Sequence, residues 1–390
     1  MNIKTIERYI NQLIEDETNF KNQSIIDKSN PKRTTISYSL KKFINLIKLV
    51  IVSIFDFSIL LIKTCFLKNS IKNKKIVFTA KNFCNLKNGK LVDRVVKPLF
   101  SEDIIFINSS KEYVLGSINN QKVYNIGGIT KVLFYFLRGS DINLKYFRAY
   151  SIVNNCILRN LKDQYLYILW FYNLSSLSII FSKYRKNFIL CEVQHGSIIN
   201  YPPYSKPSPV KIADIFYVKN EKTIDYLRKY LNKDFECEYR LIPYPKIERK
   251  SIPGIHILYA STVEFNGIHP VFQNFLESIK NKDINIIMRL HPREKDKKNF
   301  FKEQINKFHI KYTFDDSENW LVGNPIKNLI VISPWSSSIE DSYDNGFITI
   351  IIDPVGKERY KHLIDNKRCF YSDNIFKTLV ENELILSKIP

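Results

Sequence analysis

Three short stretches place chemistry-bearing side chains at spacings that suit a ligand site. The first is Glu192-Val193-Gln194-His195-Gly196. An imidazole exchanges a proton near neutral pH, so His195 is a candidate general base, and Glu192 is its rival if its surroundings raise its pKa. Gly196 permits a sharp turn after the preceding apolar run. The proline-rich loop that follows carries Tyr201 and Tyr204. Their ring faces and hydroxyls, with the amide of Gln194, suit an acceptor sugar. The second stretch is Arg289-Leu290-His291-Pro292-Arg293. Pro292 fixes the turn that aims His291, and Arg289 and Arg293 suit phosphate oxygens. The third is Ser333-Pro334-Trp335-Ser336-Ser337-Ser338-Ile339-Glu340. Ser336, Ser337 and Ser338 open a helix whose hydroxyls and free N–H groups can hold a phosphate, with Glu340 one turn in to reach a ribose. Taken singly, each stretch has an ordinary structural use: a satisfied core histidine, a surface arginine, a serine N-cap. Their shared position after apolar runs raises the functional reading.

The elements that position them alternate between strand and helix patterns from residue 75 onward. Apolar runs at 75–80, 103–108, 165–171, 187–191 and 212–218 read as strands, with helical patterns at 152–161 and 223–231. A second series follows: strand 257–260, helix 271–279, strands 284–290 and 311–314, a short helix from Glu318, strand 329–333, helix 338–344 and strand 347–352. Such alternation implies parallel sheets with crossover helices, whose ligands sit at the carboxyl ends of strands. The Pro243-Tyr244-Pro245 run and the polar residues after it read as a linker. The expected fold class is α/β, with two Rossmann-like domains facing a cleft (the GT-B architecture) behind an N-terminal helical region. The expected boundaries are 1–74, 75–245 and 246–390. No GxxxxGK[ST] or GxGxxG motif is present, which argues against a P-loop kinase or an ordinary dehydrogenase.

The formal net charge is +21 over 390 residues. Twelve Lys or Arg stand against two acids in residues 21–75, so a local anionic partner is expected there. Within that stretch, residues 43–67 are long enough to span a bilayer but are interrupted by Lys48, Asp56 and Lys63. A segment of this kind suits the surface of an anionic leaflet better than a crossing, because a central carboxylate is costly in hydrocarbon. A buried helix with Asp56 paired is the other reading. The six cysteines form no CxxC pair and no zinc-like spacing, so a reducing compartment is expected and neither a metal nor another cofactor is. The expected location is cytoplasmic, peripheral on the inner face of the membrane.

The motif order resembles that of bacterial surface-polysaccharide transferases, the superfamily spanning capsule polysialyltransferases, CDP-glycerol glycerophosphotransferases and Kdo-transferase-like enzymes. The residues that carry the resemblance are Gln194-His195-Gly196, Ile212-Ala213-Asp214, Ile242-Pro243-Tyr244-Pro245, residues 257–262, His291-Pro292, and Ser336 to Ser338 with Glu340-Asp341; Asn88-Gly89-Lys90 extends it forward. Pro243 stands where that family has a glycine, and the family's acidic pair has no evident counterpart. The resemblance implies that His291 and the serine-started helix hold the donor phosphates, and that His195 or Glu192 serves the acceptor. The expected function is transfer of a sugar from a nucleotide-activated donor to a surface polysaccharide or lipid-linked glycan. A CDP-glycerol-type polyol-phosphate transferase is the first alternative. A non-enzymatic nucleic-acid-binding protein is the second; no basic module interleaved with aromatics supports it, and nucleic acid is not an expected partner.

Overall fold

The computed structural model describes residues 3–22, 36–66, 74–78, 84–87, 90–93, 104–110, 117–118, 121–243, 248–263, 265, 267–280, 282–315, 326–365 and 367–384. The helix expected from Glu318 and the linker residues Tyr244 and Pro245 lie outside these, as do Asn88 and Gly89. The chain forms two compact units, one built up to Pro243 and one after it; residues 199–201 and the last turn of the first helix group with the second.

The first unit opens with two helices, α1 (Ile3–Asn22) and α2 (Ile36–Phe66). Its sheet then takes β1 (Lys75–Phe78), β2 (Cys84–Lys87), β3 (Lys90–Asp93), β4 (Ile104–Asn108), β5 (Ser117–Ile118) and β6 (Gln121–Asn125). Helices α3 (Gly127–Phe136) and α4 (Ile142–Leu158) lead to β7 (Gln164–Ile168), α5 (Leu174–Ile180), β8 (Phe188–Val193), β9 (Ile215–Val218), α6 (Glu221–Lys229) and β10 (Glu238–Leu241). Seven of these strands pair in parallel, side by side as β6-β4-β1-β7-β8-β9-β10. Counted among themselves in chain order they run 3-2-1-4-5-6-7, the doubly wound order. Strands β5, β3 and β2 extend the sheet beyond β6: β5 pairs antiparallel with β6, β3 parallel with β5, and β2 antiparallel with β3. The central strands are buried along their length, which is why β4 (IIFIN) reads as an unbroken apolar run.

The second unit repeats the design. It contains β11 (Ile255–Ala260), α7 (Pro270–Ser278), β12 (Ile284–Arg289), α8 (Lys298–Asn306), β13 (Tyr312–Phe314), β14 (Leu329–Ser333), α9 (Ser338–Asp344), β15 (Ile348–Ile351), α10 (Pro354–Arg359), β16 (Cys369–Tyr371) and α11 (Ile375–Glu381). All six strands are parallel in the order β13-β12-β11-β14-β15-β16, again 3-2-1-4-5-6. Its core packs Tyr259, Phe272, Phe275, Ile286, Met288 and Ile332. The fold class is α/β, with two Rossmann-like units and N-terminal helices.

Two strand boundaries differ from expectation, each for a local reason. β7 stops at Ile168 and does not continue to 171, because Trp170 adopts a left-handed backbone (φ 60°) that a strand cannot hold. β9 starts at Ile215, because Asp214 is occupied below it. The Asp214 carboxylate accepts the Leu190 N–H at 2.8 Å and pairs with Arg185 at 2.8 Å. Burial opposes its charge, but these partners hold its pKa below the usual carboxylate range.

Candidate functional site

Doubly wound sheets bind ligands outside the carboxyl ends of the strands, where the strand order reverses. In the first unit that reversal lies between β1 and β7. The left-handed turn at Trp170, just past β7, brings its indole edge-on to the His195 ring, with centroids 5.2 Å apart. His195 is half-buried at the end of β8. Non-glycine residues held at positive φ store strain and cluster at functional sites.

Glu192, three residues earlier, is fully buried. Its Oε1 accepts the Tyr204 hydroxyl at 2.5 Å and the Phe171 N–H at 3.3 Å, while Oε2 has no hydrogen-bond partner. Burial pushes its pKa up to about 7, against the pull of those two donors. The proton-exchange chemistry expected of Glu192 therefore has an electrostatic basis, but the carboxyl is closed off from solvent in this conformation. His195 is the more accessible of the two.

The residues expected on the acceptor side are used within the protein. Gln194 is buried and spends both ends of its amide: Nε2 donates to the Gly196 carbonyl at 3.0 Å, and Oε1 accepts the Lys219 N–H at 2.7 Å. It ties the loop after β8 to the loop after β9 and offers nothing to a sugar. Tyr204 is buried against Phe171 and Tyr172, its hydroxyl on Glu192. Tyr201 is also buried and groups with the second unit, where the Arg359 guanidinium lies over its ring at 4.7 Å. Neither ring face is open for stacking, because packing inside the protein covers both.

In the second unit the reversal lies between β11 and β14. Three loops leave the sheet there and are tied together. Ser261, after β11, accepts the His291 N–H at 2.8 Å and donates to Glu294 at 2.6 Å. Ser333, ending β14, donates to the Ala260 carbonyl at 2.8 Å and accepts the Ser336 N–H at 3.3 Å. β12 and β14 flank β11, so His291 and the serines stand two strand spacings apart, about 10 Å, and are not on adjacent strands. Ser336, Ser337 and Ser338 are half-buried, and the Ser336 and Ser338 hydroxyls lie 3.2 Å apart. Ser337 stands at the α9 N-cap without a side-chain cap bond.

Three expected donor residues sit differently. Arg289 forms an ion pair with Asp315 at 2.8 Å, so part of its charge is already neutralised. Glu340 is buried in the first turn of α9, closed to a ribose in this conformation. The Arg293 side chain lies outside the described residues.

Sequence reasoning missed the frame beneath this site. His269 caps α7, its Nδ1 accepting the Val271 N–H at 3.2 Å. That bond leaves the proton on Nε2, which faces Asp353 Oδ2 at 3.4 Å. Asp353 in turn caps α10 through the Val355 N–H at 2.8 Å. Helix α10 supports the serine loop: the Tyr360 hydroxyl reaches the carbonyls of Trp335 and Ser336 at 3.2 and 3.0 Å. The available signal was the dipeptide His269-Pro270, which repeats the His-Pro pattern of His291-Pro292 and marks a helix start.

No family model matches the chain, and no curated protein is significantly similar to it in sequence. Among solved structures it is similar to the UDP-GlcNAc 2-epimerase of Neisseria meningitidis bound to UDP-GlcNAc, at 9% identity and a TM-score of 0.45, over 80% of this chain and 91% of that one. It is similar to S. aureus MnaA in complex with UDP at 10% identity and a TM-score of 0.44, over 81% of this chain and 88% of that one. The lipopolysaccharide outer core galactosyltransferase WaaB matches at 8% identity and a TM-score of 0.40, over 81% of this chain and 90% of that one.

Proposed function

We propose that the chain is an enzyme of nucleotide-activated sugars with the GT-B architecture, and that it transfers the sugar to a glycan or lipid-linked acceptor. The observation that carries this reading is the convergence of His291, Ser261, Ser333 and Ser336 to Ser338 on the reversal point of the second sheet. Ser261 and Ser333 hold the loops in place through these bonds, and the His291 ring with the half-buried Ser337 and Ser338 at the start of α9 suits the phosphates of a nucleoside diphosphate. In the first unit His195 would take the proton of the acceptor hydroxyl as its oxygen bonds the anomeric carbon. The bond from that carbon to the donor phosphate breaks, and the phosphate leaves with the electron pair, held at the second site. Glu192 is the rival base and would need Tyr204 to move aside.

The test is calorimetric titration of the full chain with UDP, GDP, CMP and CDP-glycerol. One nucleotide should bind, and His291→Ala should weaken it by about 1–3 kcal/mol, the usual scale for a charge-assisted contact. Preference for CDP-glycerol over UDP, GDP and CMP would move the assignment to polyol-phosphate transfer. No binding by any of them would overturn the reading.

A further inference from the structure

Helix α2 is amphipathic in the inverted sense. Its residues Leu49, Ser53, Asp56, Leu60 and Thr64 recur every three or four positions and are buried against the first unit. Three of those five are polar, and two make defined bonds to the protein. Asp56 Oδ2 accepts the backbone and side-chain N–H groups of Asn125 at 2.9 and 3.0 Å, and Oδ1 pairs with Lys122 at 3.0 Å. Ser53 Oγ accepts the Gly128 N–H at 2.9 Å. A side chain at Gly128 would strike α2, since its Cβ would lie 2.4 Å from the Leu49 carbonyl oxygen. The helix is therefore clipped to the end of β6 and the start of α3.

The opposite face carries Ile44, Ile47, Ile51, Ile54, Phe55 and Ile62, all exposed, with Phe55 at 64% and Ile51 at 62%. Water-facing helices place polar residues outward; this one points polar groups in and a largely apolar face out, interrupted by Ser58. Tyr135 and Phe136, at the end of the adjoining α3, are exposed at 66% and 81%. Cations rim the stripe. Lys48 is exposed on the same face, Lys122 lies 5.4 Å from the Phe55 ring centroid, and Arg138 is exposed just past Phe136.

We propose that the outer face of α2, together with the exposed end of α3, docks this unit in the headgroup and upper acyl region of an anionic bilayer without crossing it. The stretch Ile44–Cys65 is long and apolar enough to span, and only 22% of its most apolar window is buried. A crossing, however, would pull the Asp56 carboxylate from its Asn125 and Lys122 partners into hydrocarbon. Lying flat keeps every one of those bonds and buries only the isoleucine stripe. The charges of Lys48 and Arg138 match anionic headgroups, while Lys122 shares its charge with Asp56. The proposal is independent of the nucleotide site, which lies in the other unit.

The experiment is co-sedimentation of the full chain with equimolar phosphatidylglycerol–phosphatidylethanolamine vesicles and with phosphatidylcholine vesicles. Binding to the anionic vesicles is expected to exceed that to phosphatidylcholine. The double variant Ile51→Glu/Phe55→Glu should lose at least about tenfold of it, because two exposed apolar groups that would enter the bilayer become charges. Tyr135→Ser/Phe136→Ser lies on open positions and should melt as wild type does while binding less. Equal binding to both vesicle types would overturn the charge argument. Unchanged binding in both variants would overturn the surface assignment. Vesicle-bound protein released by carbonate supports docking, whereas release by detergent alone means α2 spans. A dimer in light scattering that the Glu variant dissociates, without vesicle binding, would assign the face to a second copy instead.

Discussion

Glu192 is held in a setting that opposes its charge, and this fixes the sign of a pH effect. Its pKa rises to about 7 in the folded chain, from the ordinary carboxylate range in the unfolded one. The folded state therefore binds the proton more tightly. Stability from this group is fully present below about pH 4.5, falls between there and pH 7, and is level above, a loss of about 3 kcal/mol at most. Glu192→Gln should flatten the denaturation midpoint across that window, and a midpoint that still falls as steeply would show that other groups titrate there. His195 carries a separate expectation. Its half-buried ring lies against the indole of Trp170, at a turn with positive φ. His195→Ala should reduce turnover by roughly 10²–10⁴-fold, the usual contribution of a general base, with nucleotide affinity unchanged. Near-normal turnover in that variant, with loss in Glu192→Gln, would reverse the two roles. The sequence singles out both residues because they stand at or just past the end of an apolar run, Glu192 within β8 and His195 two residues beyond it. The roles of Gln194 and Tyr204 were not legible there, because side-chain type does not say which bonds the fold will close; one amide bridges two loops and one phenol stoppers Glu192.

At the scale of elements, β6 and β16 were missed, whereas all but one of the other parallel strands were readable because buried strands are largely apolar runs, as in β4 and β14. Strand β10 was not, since its residues are mostly exposed and polar at a sheet edge. Nor was the dependence of the serine loop on α10, which comes from residues about 20 positions downstream. Gly356 in α10 presses on that loop: a Cβ there would lie 1.9 Å from the Pro334 carbonyl oxygen. Gly356→Ala should cost about 1–3 kcal/mol of stability, the usual scale for overpacking, and should weaken nucleotide binding with it. Tyr360→Phe separates the two effects, because it keeps the packing and removes only the hydroxyl that reaches Trp335 and Ser336. It should lower nucleotide affinity with a smaller loss of stability. If affinity is unchanged in Tyr360→Phe, α10 does not set the loop that the nucleotide uses.

The molecule as a whole is two units, each with a complete doubly wound sheet, and that has a thermodynamic signature. A unit with its own core need not melt with its neighbour, so the full chain should not unfold as a single two-state transition. Two overlapping heat-capacity peaks are expected in scanning calorimetry. The proposed phosphate site belongs to the second unit alone, since His291, Ser261, Ser333 and Ser336 to Ser338 all leave its sheet. A ligand stabilises only the unit that must be folded to bind it. At one hundred times its dissociation constant, a nucleotide should add about 2.7 kcal/mol to that unit. For a unit of this size each kcal/mol raises the midpoint by roughly 2–4 °C, so one peak should move up by about 5–10 °C while the other stays. Hydrogen exchange identifies the peak independently: nucleotide should slow exchange at the ends of β11, β12 and β14 and leave β7 and β8 as they were. A shift confined to the first unit would move the nucleotide site to the His195 end of the molecule, and the roles assigned to the two units would exchange.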